Sequence, residues 1–173
     1  MQKLKLILTS LLITSFIPAI TNAQDTDLDK LVLPDGFSIE VYAKVRNARQ
    51  MSLGDDGTVY VGTRNRAGGR IFAVPDANGD GKGDEVITIA GGLKSPSGLT
   101  YHNGDLYIGA ISRIYRIKDI ANNFRNDPDP EILYGDLPDK THHGWKFLEF
   151  GPDGLLYIPI GAPCNICEPE DVF

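Results

Sequence analysis

Gly57-Thr58-Val59-Tyr60-Val61-Gly62, Gly104-Asp105-Leu106-Tyr107-Ile108-Gly109 and Gly154-Leu155-Leu156-Tyr157-Ile158-Pro159 decide the fold of this chain. Each places a tyrosine three residues after a glycine, and the tyrosines stand 47 and then 50 residues apart. A repeat of that length, carried by short alternating strands, matches one four-stranded propeller blade. The tight-turn sequences Asp55-Asp56-Gly57, Asn103-Gly104 and Pro152-Asp153-Gly154 occupy the same place in each repeat, because Asn and Gly tolerate positive φ.

Working outward, the first repeat is expected to hold strands over 51–53, 59–63, 70–74 and 85–90. The second holds 98–102, 106–110, 113–117 and 131–134, and the third only 147–150 and 155–160. The fold class expected is therefore all-β, a β-propeller of which about two and a half blades are present. Closed propellers carry roughly four to eight blades, so residues 24–173 read as a partial propeller. Residues 31–45 read as an extended leading strand, with Phe37, Ile39, Val41 and Ala43 on one face. Residues 118–124 are the one weakly helical stretch, followed by a polar, proline-bearing loop over 122–130.

Residues 1–23 read as a signal peptide. Lys3 and Lys5 form a basic start, an apolar run follows, and Thr21-Asn22-Ala23 offers small residues for cleavage. The run is too short and wrongly flanked for a spanning helix, so no membrane span is expected after cleavage. The location implied is periplasmic or secreted. The chain carries a formal net charge of −6, which argues against nucleic acid and anionic membranes as partners, since both need a basic footprint.

Four groups of residues carry candidate chemistry. Asp76, Asn78, Asp80 and Asp84, with Gly81 between, match the front of a calcium loop, in which alternate residues point oxygens inward at a hard cation. The same residues also read as an ordinary polar turn. Thr141-His142-His143-Gly144 precedes the innermost strand of the third repeat, where loops gather around a propeller's central channel. A neutral imidazole there suits general-base work. Neighbours in an extended segment diverge, so only one of the pair is expected to face the channel. Arg64 and Arg66 follow the second strand of the first repeat, where guanidinium groups hold carboxylates or polarise an oxygen. Cys164-Asn165-Ile166-Cys167 reads as a disulfide, within the pair or with cysteines elsewhere. Trp145 reads as packing and His102 as a solvated turn residue.

The run from His143 through Trp145-Lys146-Phe147-Leu148-Glu149-Phe150-Gly151-Pro152-Asp153-Gly154 to Gly161 resembles the glucose/sorbosone dehydrogenase family. Leu33-Pro34-Asp35-Gly36-Phe37, Arg66-Ala67-Gly68-Gly69-Arg70-Ile71 and Gly161-Ala162-Pro163-Cys164-Asn165 are similar to it too. The resemblance implies an exported six-bladed propeller that oxidises a small-molecule sugar with pyrroloquinoline quinone and calcium. It covers the N-terminal part of the family. By it, His143 matches the base that takes the sugar's hydroxyl proton, and His142 stands where members place a polar partner. His142, Arg64 and Arg66 are then the cofactor-facing candidates. Pro96 stands where many members have glutamine, a departure that leans toward the sorbosone-like branch. The rival class is a non-catalytic propeller that binds carbohydrate or protein.

Overall fold

The computed structural model describes residues 27–162 and 164–166. The expected signal peptide, Pro163 and Cys167 lie outside the described residues. The chain is mostly β and built of antiparallel sheets. β1 (Ala48–Leu53), β2 (Val59–Thr63), β3 (Gly69–Val74) and β4 (Ile87–Leu93) form one sheet in that order. β5 (Gly98–His102), β6 (Asp105–Gly109), β7 (Ile114–Ile117) and β8 (Glu131–Tyr134) form a second sheet of the same order. β9 (Glu149–Phe150) and β10 (Leu156–Tyr157) form a hairpin. α1 (Ile120–Asn123) is a single turn between β7 and β8.

The turns explain the unequal repeat spacing. In the first and third repeats the loop is closed by a pair of bonds, Gly54 N–H to the Thr58 carbonyl and Gly151 N–H to the Leu155 carbonyl. In the second, Asn103 (φ 51°) and Gly104 (φ 87°) turn the chain in two residues, so that His102 pairs directly with Asp105. Tyr60 and Tyr157 fall on the same register, opposite Ser52 and Glu149.

Successive repeats pack side by side with their strands running the same way. Tyr60 of the first sheet stacks on Tyr101 of the second, their centroids 6.0 Å apart. Tyr107 of the second sheet meets Phe150 of the hairpin edge-on at 4.9 Å. The core lies between the first two sheets, where Tyr60, Ile71, Ile89, Leu99, Leu106 and Ile108 are buried. Full burial of each aliphatic side chain contributes roughly 1.5–3 kcal/mol. At the seam with the hairpin, Gly98 lies so close to Lys146 that a Cβ would sit 2.2 Å from its carbonyl oxygen.

Gln50 crosses all three repeats. Its Oε1 accepts from the N–H groups of Leu99 (3.1 Å) and Leu148 (3.2 Å), and its Nε2 donates to the Leu148 carbonyl (2.8 Å). Ser52 Oγ accepts from Tyr101 N–H in the same seam, at 2.8 Å.

Three expectations are corrected. No strand forms over residues 31–45 among the described residues: Phe37 N–H closes a turn on the Pro34 carbonyl with Gly36 at φ 87°, and Phe37, Ile39 and Val41 are exposed. The segment touches the first sheet at Tyr42, whose hydroxyl donates to the Val74 carbonyl at 3.3 Å and whose own carbonyl accepts from Gly83 N–H in the loop after β3. β10 stops at Tyr157, two residues before Pro159, which has no N–H to give a ladder. The fourth strand of the first repeat is displaced to Ile87–Leu93 because Asp84 N–H is taken by the Pro75 carbonyl, which keeps the preceding loop closed.

Candidate functional site

His143 sits in a turn whose backbone fixes it tightly. Its φ is +53°, a left-handed conformation that costs a non-glycine residue roughly 1–2 kcal/mol and is held only by its surroundings. A Cβ on Gly161 would lie 2.1 Å from the His143 carbonyl oxygen, so glycine alone lets that segment close over the histidine. Nε2 of His143 lies 2.6 Å from Asn165 Oδ1. An amide oxygen only accepts, so Nε2 carries the proton and Nδ1 is left as the basic nitrogen. Asn165 adjoins Cys164, which is disulfide-bonded. The two histidines do not diverge: because residues 142–143 form a turn rather than a strand, the rings meet edge-to-face at 4.0 Å. His142 is the more exposed of the two.

Immediately beyond the turn, a cavity of about 350 Å³ is lined by Arg49, Gln50, Arg64, Trp145, Lys146 and Phe147, with Ser97 at its edge. Arg64 lies over the Trp145 ring with Cζ 3.7 Å from the centroid. That cation–π contact, and not blade packing, is what Trp145 provides; the indole is 44% exposed. Arg66 is exposed on the loop and does not line this cavity. Lys146 is 3% exposed, its Nζ donates to the Gly144 carbonyl at 2.8 Å, and burial pulls its ammonium below the ordinary lysine value. A planar tricarboxylate such as pyrroloquinoline quinone is matched by this donor set in part. Arg49 and Arg64 suit its carboxylates and the aromatic wall suits its rings, whereas Arg66 and His142 stand outside the wall.

The Asp76–Asp84 loop lies at the opposite ends of the strands and is closed on itself. Asp76 accepts from the N–H groups of Asp80 and Gly81, Asn78 Oδ1 from Asp80, and Asp84 Oδ2 from Ala77. Gly79 and Gly81 take the positive φ the bend needs. Among the described residues no group of three or more His, Cys, Asp or Glu side chains is arranged to hold a metal ion. The donor type still suits a hard cation, since Asp76, Asn78, Asp80 and Asp84 all carry side-chain oxygens. His102 is not merely solvated: its ring lies flat on Phe150, centroids 3.9 Å apart.

Sequence reasoning passed over Asn165, Gln50 and Arg49. The one available signal was Gln50, a polar residue at an inward position of an alternating strand.

The chain belongs to the family described as a domain of unknown function (DUF7133), whose profile matches residues 23–168. Among curated proteins it is similar to an uncharacterized protein of Borreliella burgdorferi, 30% identical over 177 residues that cover 95% of this chain. The chain spans 43% of the length of that relative. No solved structure matches it.

Proposed function

We propose that this DUF7133 member is the N-terminal part of an exported, six-bladed propeller of the glucose/sorbosone dehydrogenase type, a quinone-dependent sugar oxidoreductase. The observation that carries the reading is the cavity walled by Arg49, Arg64 and Trp145, two residues along the chain from His143, whose imidazole is bonded to Asn165. The reading places residues 1–23 as the signal peptide, with a periplasmic or secreted location and a small-molecule sugar as the partner.

In this reading the quinone, when bound, supplies the two-electron acceptor, and Arg49 and Arg64 are the residues that hold its carboxylates. His143 Nδ1 takes the proton from a sugar hydroxyl. Asn165 keeps the imidazole in the tautomer that leaves Nδ1 free, and it stabilises the cation formed by accepting from Nε2–H. Trp145 and Phe147 give the sugar ring an apolar face and exclude water from one side. Calcium has a structural role at Asp76, Asn78, Asp80 and Asp84, far from the histidine.

A second reading is favoured by the half-exposed Trp145 and Phe147 alone: a propeller that binds carbohydrate without turning it over. Reconstitution of the longer gene product with pyrroloquinoline quinone and calcium, followed by absorbance and by a panel of aldoses, separates the two. Quinone uptake with turnover supports the oxidoreductase. Sugar binding without quinone uptake would leave only the binding propeller.

A further inference from the structure

Next to the Arg64–Trp145 cavity lies another, of about 340 Å³, that no part of the proposed reaction uses. Its walls are Arg46, Asn47, Thr63, Asn65, Arg70 and Phe72, with Gly68 and Gly69 at its rim. The two cavities are neighbours: Arg64, which lines the first, donates its N–H to the carbonyl of Asn47, which lines the second, at 3.1 Å. No aspartate or glutamate lines it. Thr63 Oγ1 donates to the Arg70 carbonyl and accepts from Arg70 N–H, which fixes the β2–β3 loop. Asn65 Oδ1 is occupied by Ala67 N–H, so its amide nitrogen is left to donate. The chemistry presented is almost wholly donor, with the Phe72 ring as one apolar wall.

The charges around it are arranged for an outside partner. Among the described residues none of Arg46, Arg49, Arg64, Arg66 and Arg70 is in an ion pair. By contrast, Arg116 and Arg125 at the opposite ends of the strands are paired with Glu131 and Glu85. Clustered guanidiniums with no acid among them repel one another, and an anion relieves that repulsion. The volume falls at the lower end of the roughly 300–1,000 Å³ of small-ligand sites. That suits one ring bearing one charge better than an extended polyanion.

We infer that this cavity binds the carboxylate of a sugar acid, so that the substrate of the neighbouring site is a uronate-bearing oligosaccharide. The carboxylate sits between Arg46 and Arg70, the amides of Asn47 and Asn65 meet ring hydroxyls, and Phe72 packs on the ring's C–H face. The inference rests on the sugar-handling reading given above.

The test is calorimetric titration of the chain with three probes: a galacturonate trisaccharide, its neutral methyl ester, and inorganic phosphate. The acid should bind at least ~10-fold more tightly than the ester, as expected for a charge-assisted bidentate bond. The advantage should vanish in R46Q/R70Q, survive in part in R46K/R70K, persist in the distant R125Q, and fall in 0.5 M salt. Circular dichroism verifies that the variants keep their strands. Equal binding of acid and ester, or an advantage that survives R46Q/R70Q, overturns the inference and leaves the sugar oxidoreductase standing. Phosphate that displaces the acid at equal concentration overturns it too, since the cavity would then be a general anion site. Acid bound through Arg46 and Arg70, in a longer gene product that takes up no quinone and oxidises no sugar, upholds the inference and sinks the oxidoreductase.

Discussion

The two ends of the first sheet are chemically opposite. Where β1, β5 and β9 begin, the strand ends and loops of the first sheet carry Arg46, Arg49, Arg64, Arg66, Arg70 and Lys94 beside both cavities, and the acids at this end, Asp136 and Asp139, belong to the second sheet. Where those strands finish, the loops carry Asp55, Asp56, Asp76, Asp80, Asp84 and Asp105. At the acidic end nearly every described carboxylate is spent internally. Asp56 holds Thr58 through N–H and hydroxyl, Asp153 holds Leu155 N–H and the Tyr157 hydroxyl, and Asp105 receives Asp119 N–H. At the basic end those arginines are in no ion pair among the described residues. A five-residue strand spans roughly 16 Å, about two screening lengths at physiological salt, so each end meets solvent with its own sign. The net acidity of the chain thus hides a face suited to anions. One end is built to close turns and the other to meet a ligand.

The largest effect that sharpens this contrast is on turnover. In the longer gene product His143→Gln should lower sugar oxidation by roughly two to four orders of magnitude, the usual worth of a positioned acid–base group. Asp56→Ala, at the other end, should leave kcat within about twofold, so comparable losses in both variants would erase the division of labour. The second effect is on stability. Asp56→Ala strips the buried Thr58 of two hydrogen-bond partners and should cost about 1–2 kcal/mol in urea unfolding, and an unchanged midpoint would show the turn to be indifferent to its carboxylate.

A smaller effect is expected at Tyr60. Its hydroxyl is buried with no hydrogen-bond partner among the described residues, and burial, reinforced by Asp56 and Tyr101, pushes its pKa well above the ordinary tyrosine range. Tyr60→Phe should therefore be neutral or stabilise by up to about 1 kcal/mol, although the equivalent Tyr157 bonds to Asp153. A clear loss of stability would mean that the hydroxyl does have a partner.

The smallest effect is on pH dependence. Hydrogen bonds from Arg116 and Lys118 hold the Glu131 carboxyl below its usual value, and Leu155 N–H with the Tyr157 hydroxyl does the same for Asp153. Both carboxyls have folded pKa values below the unfolded ones. Their contribution is therefore complete above the unfolded carboxylate range and is lost as pH falls below about 4 through the folded values. Tm measured from pH 7 to 2 should fall less steeply in E131Q/D153N than in the parent, and parallel curves would count against the internal use of these acids.

Much of the sheet structure was legible because turn glycines and period-two alternation mark a hairpin in each repeat, although the two-residue turn at Asn103-Gly104 moves Tyr107 one pair out of the register that Tyr60 and Tyr157 share. Alternation reports a face and not a ladder, which is why Phe37, Ile39 and Val41 suggested a strand that finds no partner. The histidine pair was misjudged for a related reason: the divergence rule holds for extended backbone, and positive φ at His143 is invisible in the residue types. Asn165 was hidden inside a cysteine motif that drew attention to its sulfurs. The charge division was unreadable along the chain, since basic and acidic loops alternate every few residues. Only the strand directions sort them into two ends.

Gln50 gives the repeats a property that contact areas alone would not. A single carboxamide serves backbone groups of β5 and of the segment leading into β9, so peeling away either neighbour leaves buried polar atoms of the other unsolvated. Nearest-neighbour arrays ordinarily fray from their ends one unit at a time. Here the amide protons of Leu99 and Leu148 should exchange in a shared opening event, as expected of three inner segments that open as one unit rather than unzip.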